Sequence, residues 1–162
     1  MRGPFAAKRG GRVVAVFTDV EVAALRQVAA EMLEALGTDQ THDLRRLFPP
    51  AYADDPVRDE EFRAMTRDDL LEHKREAART VLTTLGGFER KRGGQRFELT
   101  REEAEKWLGF INDARLVLGT KINVTEDMDH DPLPESDPAA PAHNMYIYLS
   151  ALCGYLVDAL ME

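Results

Sequence analysis

The sequence predicts a mainly α-helical domain with a small antiparallel β-sheet: two pseudo-symmetric β-hairpin–helix units, a helical insert and a C-terminal core helix. Three observations carry this reading. Phe5 to Glu21 is repeated as Phe88 to Glu103, and from Thr18 and Thr100 onward the copies keep a constant offset of 82 residues. Each copy follows a Gly-Gly turn with a helix-capping signal. Apolar residues then recur at helical spacing in both copies and in the segments around them.

Taking the elements in order, the first unit covers residues 5–37. Gly10-Gly11 supplies the positive φ needed where a hairpin reverses, and Val13 to Phe17 is the return strand. Thr18 with Glu21 forms a capping box, in which the threonine oxygen accepts from the amide three residues on and the glutamate reaches back. Leu25, Val28, Ala29, Met32 and Leu36 mark the buried stripe of the helix, and Gly37 stands where a left-handed C-cap is expected. The helical insert spans residues 42–86. It opens on the proline-stiffened Leu47-Phe48-Pro49-Pro50-Ala51-Tyr52, starts a short helix at Asp55-Pro56 and ends that helix near Met65. Thr66 with Asp69 caps the next helix, striped by Leu70, Ala77, Val81 and Leu85.

The second unit, residues 88–120, repeats the design: Gly93-Gly94, return strand Arg96 to Leu99, capping box Thr100 and Glu103, stripe Ala104, Trp107, Leu108, Ile111 and Leu118, and a C-cap at Gly119. Leu25 thereby corresponds to Trp107, and Gly37-Thr38 to Gly119-Thr120. Residues 125–141, with four prolines and six acids, read as a mobile acidic loop. Residues 142–161 form a last helix that is apolar nearly all round, which places it in the core or at a subunit interface. Two alike hairpins would pair edge to edge into one sheet and so hide their edges. The whole of 1–162 reads as a single domain.

The net charge is −8 over 162 residues, which argues against indiscriminate coating of nucleic acid. The charge is uneven. Arg2, Lys8, Arg9 and Arg12 face no acid within residues 1–12, and seven basic residues crowd 74–96 against Glu76 and Glu89. The lone Cys153 excludes a disulfide within these residues and a cysteine-rich zinc site, and fits a reduced, cytoplasmic setting. No signal-peptide pattern opens the chain. The apolar stretch from Met145 to Val157 is shorter than the roughly 20 residues a membrane span needs.

Chemistry-bearing motifs are sparse. The hairpin tips are the strongest: Lys8, Arg9 and Arg12 around one Gly-Gly, and Arg90, Lys91, Arg92 and Arg96 around the other. Such a tip grips phosphate as a wing does, since guanidinium offers a planar donor fork. Tips also carry Lys and Arg simply to block edge pairing. The acidic run Glu126 to Asp131 lacks the loop glycine and spacing of an EF-hand. His42, His73, His130 and His143 show no ligand spacing, and no nucleophile elbow or phosphate-binding glycine loop is present. No catalytic, cofactor or metal residue is assigned, and a small metal-dependent enzyme is the remotest reading. On the last helix, Tyr146, Leu149, Cys153 and Leu156 are the expected partner interface, with Cys153 otherwise a buried small hydrophobe.

One segment is distinctive: Trp107-Leu-Gly-Phe-Ile-Asn112-Asp113-Ala-Arg115-Leu-Val-Leu-Gly119-Thr120. Together with Leu47 to Tyr52, Thr66 to Asp69 and Val124 to Asp127, it resembles an actinobacterial family of unknown function that includes the oxidative stress transcriptional regulator AosR. The similarity covers essentially the whole chain. The resemblance implies a non-enzymatic, cytoplasmic regulator of transcription and stress response. It would act through a protein partner, a sigma factor among the candidates, with direct duplex DNA binding through the basic tips as the alternative and homodimerisation compatible with either. Trp107, Asn112, Asp113, Arg115, Gly119 and Thr120 are expected to serve the fold, Asn112 and Asp113 by bridging backbone groups toward the turn after Lys121.

Overall fold

A computed structural model describes residues 3–38, 47, 54–86, 89–91, 94–124 and 131–162, with only the backbone described at 38, 63 and 89–91. The chain runs β1 (Phe5–Lys8), a 3-10 turn (Arg9–Gly11), β2 (Arg12–Phe17), α1 (Asp19–Thr38), α2 (Pro56–Gly86), β3 (Glu89–Lys91), β4 (Gly94–Leu99), α3 (Arg101–Lys121) and α4 (Ala140–Met161). It is mainly helical with one small antiparallel sheet of order β1-β2-β4-β3, as the sequence predicts.

The two hairpins join through their return strands. Val13 pairs with Leu99, Ala15 with Phe97 and Phe17 with Gln95. Ala15 and Phe97 are themselves equivalent in the repeat, so the ladder is symmetric about that pair and maps onto itself when the copies are exchanged. Period-two alternation then sends Val13, Ala15, Phe17, Phe97 and Leu99 to the inner face, where each is 7% exposed or less. The one-residue slip between the Gly-Gly pairs has a local cause. Three residues separate Lys8 from Arg12, whereas two separate Lys91 from its ladder partner Gly94.

Both capping boxes form. The Thr18 amide donates to Glu21 Oε2 at 2.8 Å and the Glu21 amide to Thr18 Oγ1 at 3.2 Å; the Thr100–Glu103 distances are 2.8 and 3.1 Å. The helices pack on the inner face around an aromatic cluster. The Trp107 ring stacks on Phe17 at 6.0 Å and 11°, meets Phe5 edge-on at 6.2 Å, and lies 5.5 Å from Phe97. Its indole N–H donates to Thr84 Oγ1 at 2.8 Å, which satisfies the one polar atom of a fully buried side chain.

Four local expectations give way to tertiary structure. Residues 56–86 form one unbroken helix, because Thr66 does not cap: its hydroxyl donates to the Phe62 carbonyl at 3.0 Å and no Gly or Pro interrupts. Leu71, at 6% exposure, takes the buried position expected of Leu70, which is 43% exposed. Neither Gly37 nor Gly119 is a left-handed cap; the positive φ after α3 falls on Asn123 at 53°. Gly119 is small for another reason: a Cβ there would lie 3.1 Å from Tyr146 Cε2. Finally, α4 is 22 residues long and begins at Ala140, so by length and composition it could cross a membrane. Here it packs against α3 and β1, with Leu149, Leu152 and Leu156 at 1% exposure or less. The loop residues before it are tied to it: Asn144 bonds the Leu133 backbone through both amide atoms at 2.8 and 2.9 Å.

Candidate functional site

The basic tips follow from the sheet register. Because β2 and β4 are antiparallel, the turn at Arg9–Gly11 lies at the Leu99 end of the ladder and the turn before Gly94 at the Phe17 end. The tips therefore point to opposite ends of a sheet whose six-residue strands span about 20 Å. At the first tip, Gly10 and Gly11 both take positive φ, 78° and 74°. Lys8 Nζ and Arg12 Nη1 reach across the outer face to one carboxylate, Glu98 of β4, at 2.8 and 2.9 Å. These contacts hold the Glu98 carboxyl below the usual carboxylate range, the Lys8 hydrogen bond contributing most. Arg9 is exposed, and Arg101 lies against Gly11. Lys8, Arg9, Arg12 and Arg101 line a cavity of about 480 Å³ that also meets Leu160 and Glu162. Arg96 projects from the outer face of β4 and is exposed. The side chains of Arg90 and Lys91, and all of Arg92, lie outside the described residues. So the sequence-predicted cations split into two groups, and the first is partly neutralised by an acid from the other unit.

The α3 motif serves the interior. Trp107 centres the aromatic cluster. Asp113 bonds Lys74 of α2 at 3.1 and 3.2 Å with both side chains under a fifth exposed. Burial pushes the Asp113 carboxyl above the ordinary aspartate value, partly offset by Lys74 and by His73. Asn112 Oδ1 accepts from Arg115 Nη2 at 2.7 Å. Thr120 Oγ1 donates to the Leu116 carbonyl at 3.0 Å. Among the described residues Asn112 and Asp113 bond elsewhere than the turn after Lys121, because an i,i+3 arginine and the neighbouring helix offer closer partners. That turn is closed instead by the Val124 amide donating to the Gly119 carbonyl at 2.9 Å.

The residues expected at a partner interface on α4 turn inward. Leu149, Cys153 and Leu156 belong to this chain's own core, and Tyr146 packs on Gly119. An all-round apolar helix does not encode which side faces inward, and contacts with α3 decide it. Burial pushes the Cys153 thiol up, with the Arg115 cation a smaller opposing influence, which makes it a poor thiolate nucleophile. Beside this helix lies an apolar groove that sequence reasoning missed. It is about 310 Å³, floored by Met32, Ala114, Val117 and Leu149 and rimmed by Gln27 and Glu31. Small residues at Ala24, Ala114 and Ala142 open it, and three helices must come together before that signal becomes visible. The acidic run at 126–130 lies outside the described residues. Among the described residues no group of three or more His, Cys, Asp or Glu could hold a metal ion.

The DUF2017 family model, described as a domain of unknown function, matches residues 1–160. This chain belongs to the DUF2017 family. Curated relatives of this DUF2017 chain include a protein named oxidative stress regulator AosR from Mycobacterium tuberculosis (strain ATCC 25618 / H37Rv). It is 31% identical over 131 residues, covering 73% of this chain and 57% of the relative. The protein of the same name from Mycobacterium bovis (strain ATCC BAA-935 / AF2122/97) matches with the same figures. The DUF2017 chain thus spans a little over half the length of these relatives. No solved structure matches it.

Proposed function

We propose that this chain is a non-enzymatic regulatory protein of stress-responsive transcription, cytoplasmic, and acting through a protein partner. Relatives named as oxidative stress regulators support the regulatory reading. The partner class suggested by the family resemblance is an RNA polymerase sigma factor. The observation that favours protein over duplex DNA is the arrangement of the tips. They face opposite ends of the sheet, and Lys8 and Arg12 are engaged by Glu98 rather than presented as free phosphate clamps. Any response to oxidant by this chain would not start at Cys153, whose thiol is buried and held protonated.

The test is affinity capture of the tagged chain from its native cytoplasm. Recovery of a sigma factor or polymerase subunit supports the reading, and capture that repeatedly yields none counts against it. Direct binding of duplex DNA is the second reading, and the cavity under Lys8, Arg9, Arg12 and Arg101 favours it. It predicts a steep loss of affinity with salt and loss of a promoter-fragment shift when Arg90, Lys91 and Arg92 are all changed to Ala.

A further inference from the structure

The apolar groove beside α4 is a hollow left between three helices. α1, α3 and α4 meet there at small residues, Ala24, Ala114 and Ala142, and the space they leave is about 310 Å³. Its apolar walls are Val28, Met32, Val117, Leu118, Met145 and Leu149, and no aromatic ring lines it. Packed side chains normally close such spaces to the density of an organic crystal. Atoms that line an unfilled one forfeit dispersion contacts on that side. A concave, mostly apolar space of roughly 300 Å³ or more with few polar groups has the form of a small-molecule site.

The polar side chains at the groove are Gln27, Glu31 and Lys121. Lys121 already has an interaction within this chain. Gln27 Nε2 donates to Glu31 Oε1 at 3.0 Å, one helical turn along α1, and this bond holds the carboxylate at the rim. Glu31 is exposed, and its Oε2 accepts no hydrogen bond among the described residues. The groove therefore offers aliphatic walls and, at its edge, one anionic acceptor. Walls without an aromatic face suit a linear chain better than a stacked ring, and the thioethers of Met32 and Met145 adapt to its shape. A carboxylate, which only accepts, is matched by a donor cation. At about 30 Å³ for each water-sized group, the hollow holds about ten methylene groups.

We propose that this groove is a binding site for a lipophilic amine, a linear aliphatic chain of about ten carbons that bears one ammonium group. The chain lies between α1 and α4 on the floor of α3, and the ammonium donates to Glu31 Oε2 at the rim. The site shares no residue with the cavity at the first basic tip. It also does not depend on the protein-partner reading.

Isothermal titration calorimetry on the full chain tests it, with decylammonium and decanoate as probes, each kept below its micelle concentration. Decylammonium is expected to bind once, with Kd on the order of 10–100 µM, and decanoate at least about fivefold more weakly. Ala24→Leu, at a half-buried position on the groove wall, fills the hollow and should weaken decylammonium by about tenfold or more. Glu31→Gln should weaken it by about threefold to fivefold, the range of an exposed ion pair, and should narrow its lead over decanoate. Glu34→Gln removes an equal charge from an exposed residue of α1 that does not line the groove, and should leave Kd unchanged. Circular dichroism confirms that each variant is folded. A wild-type chain that gives no saturable heat with decylammonium overturns the proposal. So does equal or tighter binding of decanoate, or decylammonium binding that is indifferent to Ala24→Leu. Equal weakening by Glu31→Gln and Glu34→Gln overturns it as well, since that is the mark of general attraction to an acidic chain.

Discussion

The two hairpin–helix units share a fold and differ in what they do with it. Their N-caps are the same to within 0.1 Å in both hydrogen bonds, and their return strands are partners about a local twofold. Yet the first residue of each helix has the opposite charge. Arg101 starts α3 and lies over Gly11 of the first tip; Asp19 starts α1 and accepts from Gln95 of the second hairpin. The helices diverge in depth as well. Leu25 and Trp107 are equivalent and both fully buried, but only the second unit fills the sheet centre with an indole. Glu31 is exposed and takes a bond from Gln27, whereas its counterpart Asp113 is mostly buried against Lys74. The repeat accounts for the matching caps and the symmetric ladder, and the departures from it follow what each helix packs against.

Equivalent substitutions in the two units break the comparison apart, and chemical denaturation measures each one. The largest effect is expected from Trp107→Ala, about 4 to 5 kcal/mol, because it empties the aromatic cluster and leaves Thr84 without its donor. Leu25→Ala should cost about 3 kcal/mol, the ordinary value for a buried leucine.

Next comes the ion pair. Lys74→Met leaves a mostly buried carboxylate alone and should cost about 3 kcal/mol at neutral pH. Gln27→Ala beside the equivalent Glu31 should change stability by less than about 0.5 kcal/mol. The pH dependence has a definite sign. Asp113 has a raised carboxyl pKa in the folded chain, and losing Lys74 raises it further, so the folded state takes up a proton before the unfolded state does. The Lys74→Met deficit should therefore be full at neutral pH and shrink as pH falls through the raised Asp113 value. A deficit that grows on acidification would contradict this origin.

The glycines give smaller contrasts. Gly94→Ala meets the Phe17 carbonyl oxygen at 2.6 Å with φ at 140°, and should cost about 3 kcal/mol through strain. Gly10→Ala has open space and should cost only about 1 kcal/mol for its φ of 78°. Gly119→Ala should cost about 1 to 2 kcal/mol by pushing the Tyr146 ring. Gly37→Ala, with nothing near it, should stabilise by up to about 1 kcal/mol. The smallest contrast is the pair of caps: Thr18→Ala and Thr100→Ala should each cost about 1 kcal/mol and differ little. Unequal losses there would show that the two units are less alike than their hydrogen bonds.

What could be read before the fold was known was local. Thr18 with Glu21, Asp55 before Pro56, and the Gly10-Gly11 turn each act within a few residues, and all three form: Asp55 Oδ1 accepts from the Arg58 amide at 3.2 Å, and both glycines take positive φ. The joining of the two hairpins was legible because a repeat with exposed edges has an evident partner. Features set by distant contacts were not. Thr66 and Asp69 carry the same pattern as the two real caps, and only the continuing helix shows that the hydroxyl bonds backward. Gly119 is small because of Tyr146, 27 residues further on. Glu98 from the other copy of the repeat pairs with both Lys8 and Arg12, so a basic tip in sequence is a partly neutralised network in space. The inward turn of Leu149, Cys153 and Leu156 depends on α3, and the apolar groove on three helices at once.

The central claim, regulation through protein contact rather than through duplex DNA, meets its most direct test in one titration. A fluorescently labelled promoter fragment is titrated with the wild-type chain and with Glu98→Gln at several salt concentrations. With the tips opposed and partly neutralised, the wild-type chain should show no saturable binding tighter than the roughly 10⁻⁴–10⁻⁶ M of non-specific association. Glu98→Gln, which releases Lys8 and Arg12, should bind somewhat more. Tight, saturable wild-type binding with a steep salt slope, abolished by changing Arg90, Lys91 and Arg92 to Ala, would contradict the account.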